Sequence, residues 1–156
     1  MLKQLARLSV EADGRYATAL ELQFLKDYLQ SLELRVSAYE KIQAAEQEII
    51  SKVEAEIRAT DPSLFRKGSR DMTPTCRRDR VDVLRYSAAA LLSNDLDRLR
   101  EGFLLWYQTI VRTFKDERAA GLTYKVMQEI VKDYLTPQEA ALLCPILELN
   151  YILLGK

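Results

Sequence analysis

The sequence contains no histidine. That absence excludes Ser-His-Asp and Cys-His nucleophilic catalysis, histidine-ligated zinc and haem held by a proximal histidine. Only two cysteines are present, Cys76 and Cys144, too few for a disulfide framework or a four-cysteine metal site. Such sparing use fits a reducing compartment. Neither charge is in excess: 23 Lys and Arg face 23 Asp and Glu, for a formal net charge of zero. General nucleic-acid or polyanion binding needs a surplus of Lys and Arg and is not expected. The longest apolar stretch, near 102–111, is too short to span a membrane and is interrupted by Gln108 and Thr109, so no membrane insertion is expected. The opening residues, MLKQLARLSVEADGR, have no long apolar segment and no small-residue cleavage site, so no signal peptide is expected.

What is present reads as one domain spanning residues 1–156. The apolar fraction of 48% and charged fraction of 29% let a chain of this length bury a sizeable core without staples. Glycine and proline are scarce. No proline precedes Pro62, and no glycine lies between Gly14 and Gly68, so the first sixty residues read as helix. Leu22, Leu25, Leu29, Leu32, Val36 and Tyr39 recur at steps of three and four and mark one helical face. A coiled coil is the alternative reading, but the pattern covers fewer than three heptads. Thr18 with Glu21 forms a capping box after Asp13-Gly14. A short first helix, a second from about Thr18, a bend near Ser31 and a run to about Ala59 are therefore predicted.

Residues 61–72 read as a loop. Thr73 caps the next helix, with Pro74 at its first position, where a missing N–H costs nothing; it runs to about Ser93. Asn94 and Asp95 supply the next start, for a stretch to about Lys115 with a break at Gly102. Another helix covers about 120–134. Thr136-Pro137-Gln138-Glu139 opens the last one, which Pro145 is expected to kink. With no convincing strand, the chain reads all-α, with about seven to nine helices.

Cys76 is the most informative residue for chemistry. Counted from a Thr73 cap, it lies in the first helical turn, near free N–H groups and the positive end of the helix dipole. Arg77, Arg78 and Arg80 surround it, and these features favour a thiolate. Asp79 and Arg80 project from the same side, with Val83 a turn beyond. A thiol, a carboxylate and a guanidinium share one stripe. A half-buried cysteine beside a solvated charge run gives the same spacing, so both readings stay open here. A thiol enzyme is disfavoured, because no histidine serves as base and no resolving cysteine lies nearby; the chain is not expected to be an enzyme.

The segment MTPTCRRDRVDVLRY (Met72–Tyr86) resembles the chromophore-attachment helix of phycobiliproteins, especially allophycocyanin subunits, whose pattern is close to M-T-A-T-C-x-R-D-x-x-x-x-L-R. EADGRYATALELQFLKDYLQS (Glu11–Ser31) resembles the family's opening, and Glu33-Leu34-Arg35-Val36 matches its E-L-R-V step. The resemblance implies a globin-like helical core, about 31–154, with an N-terminal helical hairpin, about 2–30, that docks on a partner subunit. It implies a linear tetrapyrrole of the phycocyanobilin type attached to Cys76 by a thioether. Asp79 would accept from its pyrrole N–H groups and Arg78 would pair with a propionate. Glu11 and Arg85 fall where unlike subunits pair. Related subunits or further copies of this chain are the implied partners, and the cytoplasmic face of thylakoid membranes the implied location.

Departures from the family pattern accompany the resemblance. Asp82 and Val83 stand where aromatic or large apolar residues pack on the chromophore; Asp82 would place an extra charge near it or mark a remodelled pocket. The family's A-G-D reads Ser93-Asn94-Asp95, and its glycine-rich stretch shrinks to Lys67-Gly68-Ser69. Cys144, in the apolar run 140–147, reads as a buried structural cysteine. Phe103, Trp106, Tyr107 and Phe114 read as core packing, with a pocket wall as the alternative. Glu40, Glu46, Glu48, Glu54 and Glu56 read as a solvated face, with no metal site among them. Two functions follow: a bilin-bearing, light-absorbing antenna subunit, or a chromophore-free or transiently loaded relative acting in antenna regulation or assembly.

Overall fold

With no proline or glycine to interrupt it, the chain from Gln23 to Thr60 forms a single helix of 38 residues in the computed structural model, which describes residues 1–156. The elements are α1 (Leu2–Glu11), α2 (Gln23–Thr60), β1 (Arg66–Lys67), β2 (Arg70–Asp71), α3 (Thr73–Ser93), α4 (Leu96–Leu99), α5 (Leu105–Phe114), α6 (Glu117–Ile130) and α7 (Pro137–Leu154). Six helices have ten residues or more and α4 is a single turn; the architecture is all-α and globin-like. The predicted bend near Ser31 does not occur. Ser31 Oγ instead donates to the Tyr28 carbonyl and accepts from Arg35 Nε, bonds that a helix accommodates. The Thr18–Glu21 capping box forms, but residues 19–22 make a turn ahead of the helix.

Helix α7 packs against α2, α3, α5 and α6. Ala140, Leu143, Leu147 and Leu154 are buried along it, at helical spacing. Gly121 and Gly155 allow α6 to meet the end of α7 closely: a Cβ on Gly155 would lie 2.5 Å from the Gly121 Cα. Asn150 Nδ2 donates to Ser87 Oγ within the core, at 2.8 Å. Pro145 lies inside α7, which runs unbroken from Pro137 to Leu154. The segment 96–114 is also continuous; at Gly102 it widens into a π-turn, Arg100–Leu104, rather than breaking. The two-residue strands β1 and β2 pair antiparallel around Gly68 (φ 60°), a hairpin too short for alternation to reveal.

The N-terminal region behaves differently. Helix α1 buries no residue. Its ties are polar: the Met1 ammonium donates to the Asn94 carbonyl, and Lys3 pairs with Glu101 at 3.0 Å. Along the predicted apolar face of α2, Leu29 and Val36 are exposed and Leu22, Leu25, Leu32 and Tyr39 only partly buried. The buried face carries Ala38, Ile42, Ile49, Ile50, Val53 and Ile57.

Three further expectations are corrected. Glu46 and Glu54 are not on a solvated face. Each is turned against α3, Glu46 paired with Arg85 at 2.6 Å and Glu54 with Arg77 at 2.7 Å. Cys144 is half-buried rather than enclosed, because Lys132, Pro137 and Ala141 border an open hollow beside it. Trp106 and Phe114 are 61% and 57% exposed and so are not core. The inward positions of this stretch are taken by Leu104, at the end of the π-turn, and by Val111 of α5.

Candidate functional site

The turn that opens α3 is set by Asp71, not Thr73. Asp71 Oδ1 accepts from both the Thr73 N–H and the Thr73 hydroxyl, and α3 begins at Thr73 itself. Cys76 therefore sits one position further along than its sequence predicted. Its N–H donates to the Met72 carbonyl, so it is not one of the free donors. The thiol is half-buried, and that burial pushes its pKa up. Arg80 and Lys67 oppose the shift, while Asp116 and Asp79 add to it. The expected thiolate is thus overturned: Arg77 is directed to Glu54 and Arg78 to Asp79, and desolvation outweighs the cations that remain.

Cys76, Arg78, Asp79 and Arg80 line a cavity of about 420 Å³, a volume in the range of small-molecule sites. Helix α5 contributes Tyr107, Ile110, Val111 and Phe114 to its wall; α6 contributes Ala119, Ala120, Thr123 and Tyr124. The β-hairpin closes one side with Lys67 and Arg70. Lys67 Nζ donates to the Phe114 carbonyl and to Asp116, both at 2.8 Å, and clamps the hairpin to the α5–α6 turn. Asp79 accepts from Arg78 Nη2 at 3.0 Å. Burial, and then the Asp79 charge, push the Tyr107 hydroxyl well above its ordinary pKa.

Arg80 is the least expected member. It is 5% exposed, and Phe65 lies against its guanidinium at 4.9 Å. Its Nε makes a long hydrogen bond, 3.5 Å, to Thr123 Oγ1. Nη1 stands 3.7 Å from Glu54 Oε1, and both atoms are buried without a hydrogen-bond partner. The charged residues that line the cavity are four basic (Lys67, Arg70, Arg78, Arg80) and two acidic (Asp79, Asp116). The wall thus carries two surplus positive charges in a chain whose net charge is zero. Beside the cavity, Tyr86 stacks on Phe103 at 4.1 Å and Phe103 on Tyr107 at 5.4 Å, leaving Trp106 outward. Only Tyr107 and Phe114 of the aromatic group reach the wall.

A family model described as "Phycobilisome protein" matches residues 8–152. The chain belongs to the phycobilisome protein family. No curated protein matches it. The family match extends into α7.

Within this phycobilisome protein, the family departures acquire structural meaning. Asn94 stands where the family pattern has glycine and adopts φ 50°, a left-handed conformation that glycine favours and asparagine tolerates best among other residues. Asp95 then caps α4 by accepting from the Arg98 N–H. Asp82 and Val83 do not line the cavity: Val83 is in the core, and Asp82 is half-buried outside the wall, within electrostatic reach of Arg78. The pair Glu11 and Arg85 is occupied within the chain, Glu11 by Arg7 and Arg85 by Glu46, both at 2.6 Å. Sequence spacing brought Cys76, Asp79 and Arg80 together. It gave no sign of Asp116, Thr123 or Tyr124, which are distant in the chain and reach the site only through the packing of α6 and the turn before it.

Proposed function

We propose that this member of the phycobilisome protein family is an allophycocyanin-like antenna subunit carrying a linear tetrapyrrole of the phycocyanobilin type in the α3–α5–α6 cavity. The observation that carries the reading is the placement of Cys76 and Asp79 together on one wall, in an apolar cavity with surplus positive charge. That donor set fits the group: a thiol for attachment, a carboxylate for N–H donors and guanidiniums for carboxylates. When bound, the tetrapyrrole supplies visible-light absorption and transfers excitation to neighbouring pigments.

The chain's residues attach, orient and enclose. Cys76 would hold the group through a thioether to its ring A ethylidene carbon, an addition in which the thiol supplies both sulfur and proton and nothing is oxidised or released. Asp79, on a rigid helix, accepts from the pyrrole N–H groups and holds the extended shape. Arg78 exchanges part of its contact with Asp79 for a propionate. Tyr107 and Ile110 supply apolar surface and exclude water. The α1–α2 hairpin, whose apolar residues are left uncovered, docks on a related subunit or another copy, with Glu11 and Arg85 at the contact; residues 31–154 form the core of one domain. The protein works at the cytoplasmic face of the thylakoid membrane, and no helix is long and apolar enough to cross a membrane.

Co-expression with a phycocyanobilin pathway, followed by denaturing electrophoresis with zinc-enhanced fluorescence, tests the reading. The expected result is a fluorescent band in the wild type that Cys76→Ala abolishes. A colourless wild-type protein would sink it. The second reading, a chromophore-free interaction module, is favoured by the exposed Trp106 and by the contact between Arg78 and Asp79.

A further inference from the structure

The surplus charge of the cavity is not spread evenly. Lys67 is paired with Asp116 and Arg78 with Asp79. Arg70 is exposed, where water screens it. Arg80 is enclosed, and Glu54 faces it only at 3.7 Å. The same Glu54 is already held by Arg77 at 2.7 Å, so one carboxylate faces two guanidiniums. A buried cation with an unpartnered Nη1 is costly unless an acceptor arrives. The burial-raised Cys76 thiol does not provide that negative charge.

Resting on the bilin reading, we infer that Arg80, with Thr123 beside it, receives a carboxylate of the bound tetrapyrrole at the buried end of the cavity, making the site selective for the free-acid form. Arg80 lies one helical turn from Cys76 on the same face, so attachment and carboxylate capture act on one ligand from adjacent turns. Arg78, 69% exposed, serves a carboxylate near the surface, and Arg80 serves the enclosed one. A ligand with two acid groups would match the two surplus charges of the wall.

Reversible binding to the full chain carrying Cys76→Ala tests this. Free-acid phycocyanobilin and its dimethyl ester are titrated separately, with quenching of Trp106, the single tryptophan, as the readout. The free acid is expected to bind at least about tenfold tighter, the scale of one charge-assisted hydrogen bond. Adding Arg80→Met should weaken the acid by about tenfold, leave the ester unchanged and cut the preference to what Arg78 alone sustains. Arg80→Lys should restore part of it. Equal binding of acid and ester by the chain that retains Arg80, or a full preference surviving Arg80→Met, would overturn the inference while bilin binding stood. The first of those comparisons decides the matter even if the Met variant does not fold. Binding of neither form would overturn the bilin reading and this inference with it.

Discussion

Two helices of this protein begin with Thr-Pro, and their starts do opposite work. At α7, Thr136 is the N-cap, and its hydroxyl accepts from the Glu139 N–H while Glu139 accepts from the Thr136 N–H. Glu139 is 2% exposed, yet Lys41 and Ser37 of α2 both donate to it at 2.6–2.8 Å. Its charge is fully met. At α3, Thr73 lies inside the helix, Asp71 takes the capping role, and Arg80 two turns on keeps an unpartnered nitrogen. The same local motif thus anchors the fold in one place and frames a cavity in the other. The distinguishing mark is polar satisfaction: the finished network holds helices together, and the unfinished one leaves Arg80 Nη1 without an acceptor.

The largest difference should appear on substituting the central residue of each start. Cys76→Ser should remove all covalent bilin, judged by zinc fluorescence, and shift stability by under about 0.5 kcal/mol. Glu139→Ala should do the reverse, leaving the bilin band and costing roughly 2 kcal/mol in urea unfolding, since the Ser37 hydroxyl and the Thr136 N–H lose their acceptor. A variant of Glu139 that lost its bilin while still folded would break the comparison.

Attachment should also depend on pH. The Cys76 thiol lies above its ordinary value near 9, so thiolate is scarce at neutrality. Attachment of free phycocyanobilin by the purified chain should quicken by about tenfold per pH unit, up to and beyond pH 9. A rate flat from pH 7 to 9 would mean that a thiolate is already present.

Glu139 gives a second pH signature. Burial alone would raise its pKa, but Lys41, Ser37 and Thr136 outweigh it and hold the carboxyl at about 2, against an ordinary 4.5. A depressed folded-state pKa stabilises the protein above the unfolded value, and the contribution fades as pH falls. Stability should drop between about pH 4.5 and 2, less steeply in Glu139→Gln. Equal acid slopes in the two proteins would contradict this. The smallest contrast is between the threonines. Thr136→Ala should cost about 1 kcal/mol, and Thr73→Ala under half as much, because Asp71 still accepts from the backbone N–H at residue 73.

Much of this was legible beforehand. The all-α fold, the span of α3 and the shared stripe of Cys76, Asp79 and Arg80 follow from local periodicity. The α7 capping box was legible for the same reason. The fate of charges was not legible. Glu46 and Glu54 repeat like a solvated face, and only the approach of α3 turns them into partners of Arg85 and Arg77. Trp106 and Phe114 have core-like chemistry, and only the orientation of α5 leaves them outside. Arg77 and Arg78 flank Cys76 in sequence, but their charges are directed to Glu54 and Asp79 in space.

The sequence by itself determined the helices, because hydrogen bonding along a helix and the punctuation by Gly and Pro act over a few residues. It also determined the shared stripe of Cys76, Asp79 and Arg80 and the family. The tertiary structure alone decided that α5 and α6 would meet the start of α3 around a cavity, and that Arg80 would be enclosed there short of a full partner. Burial and charge compensation depend on residues distant in the chain, as Arg80 and Thr123 are, and no local pattern records which of them will meet.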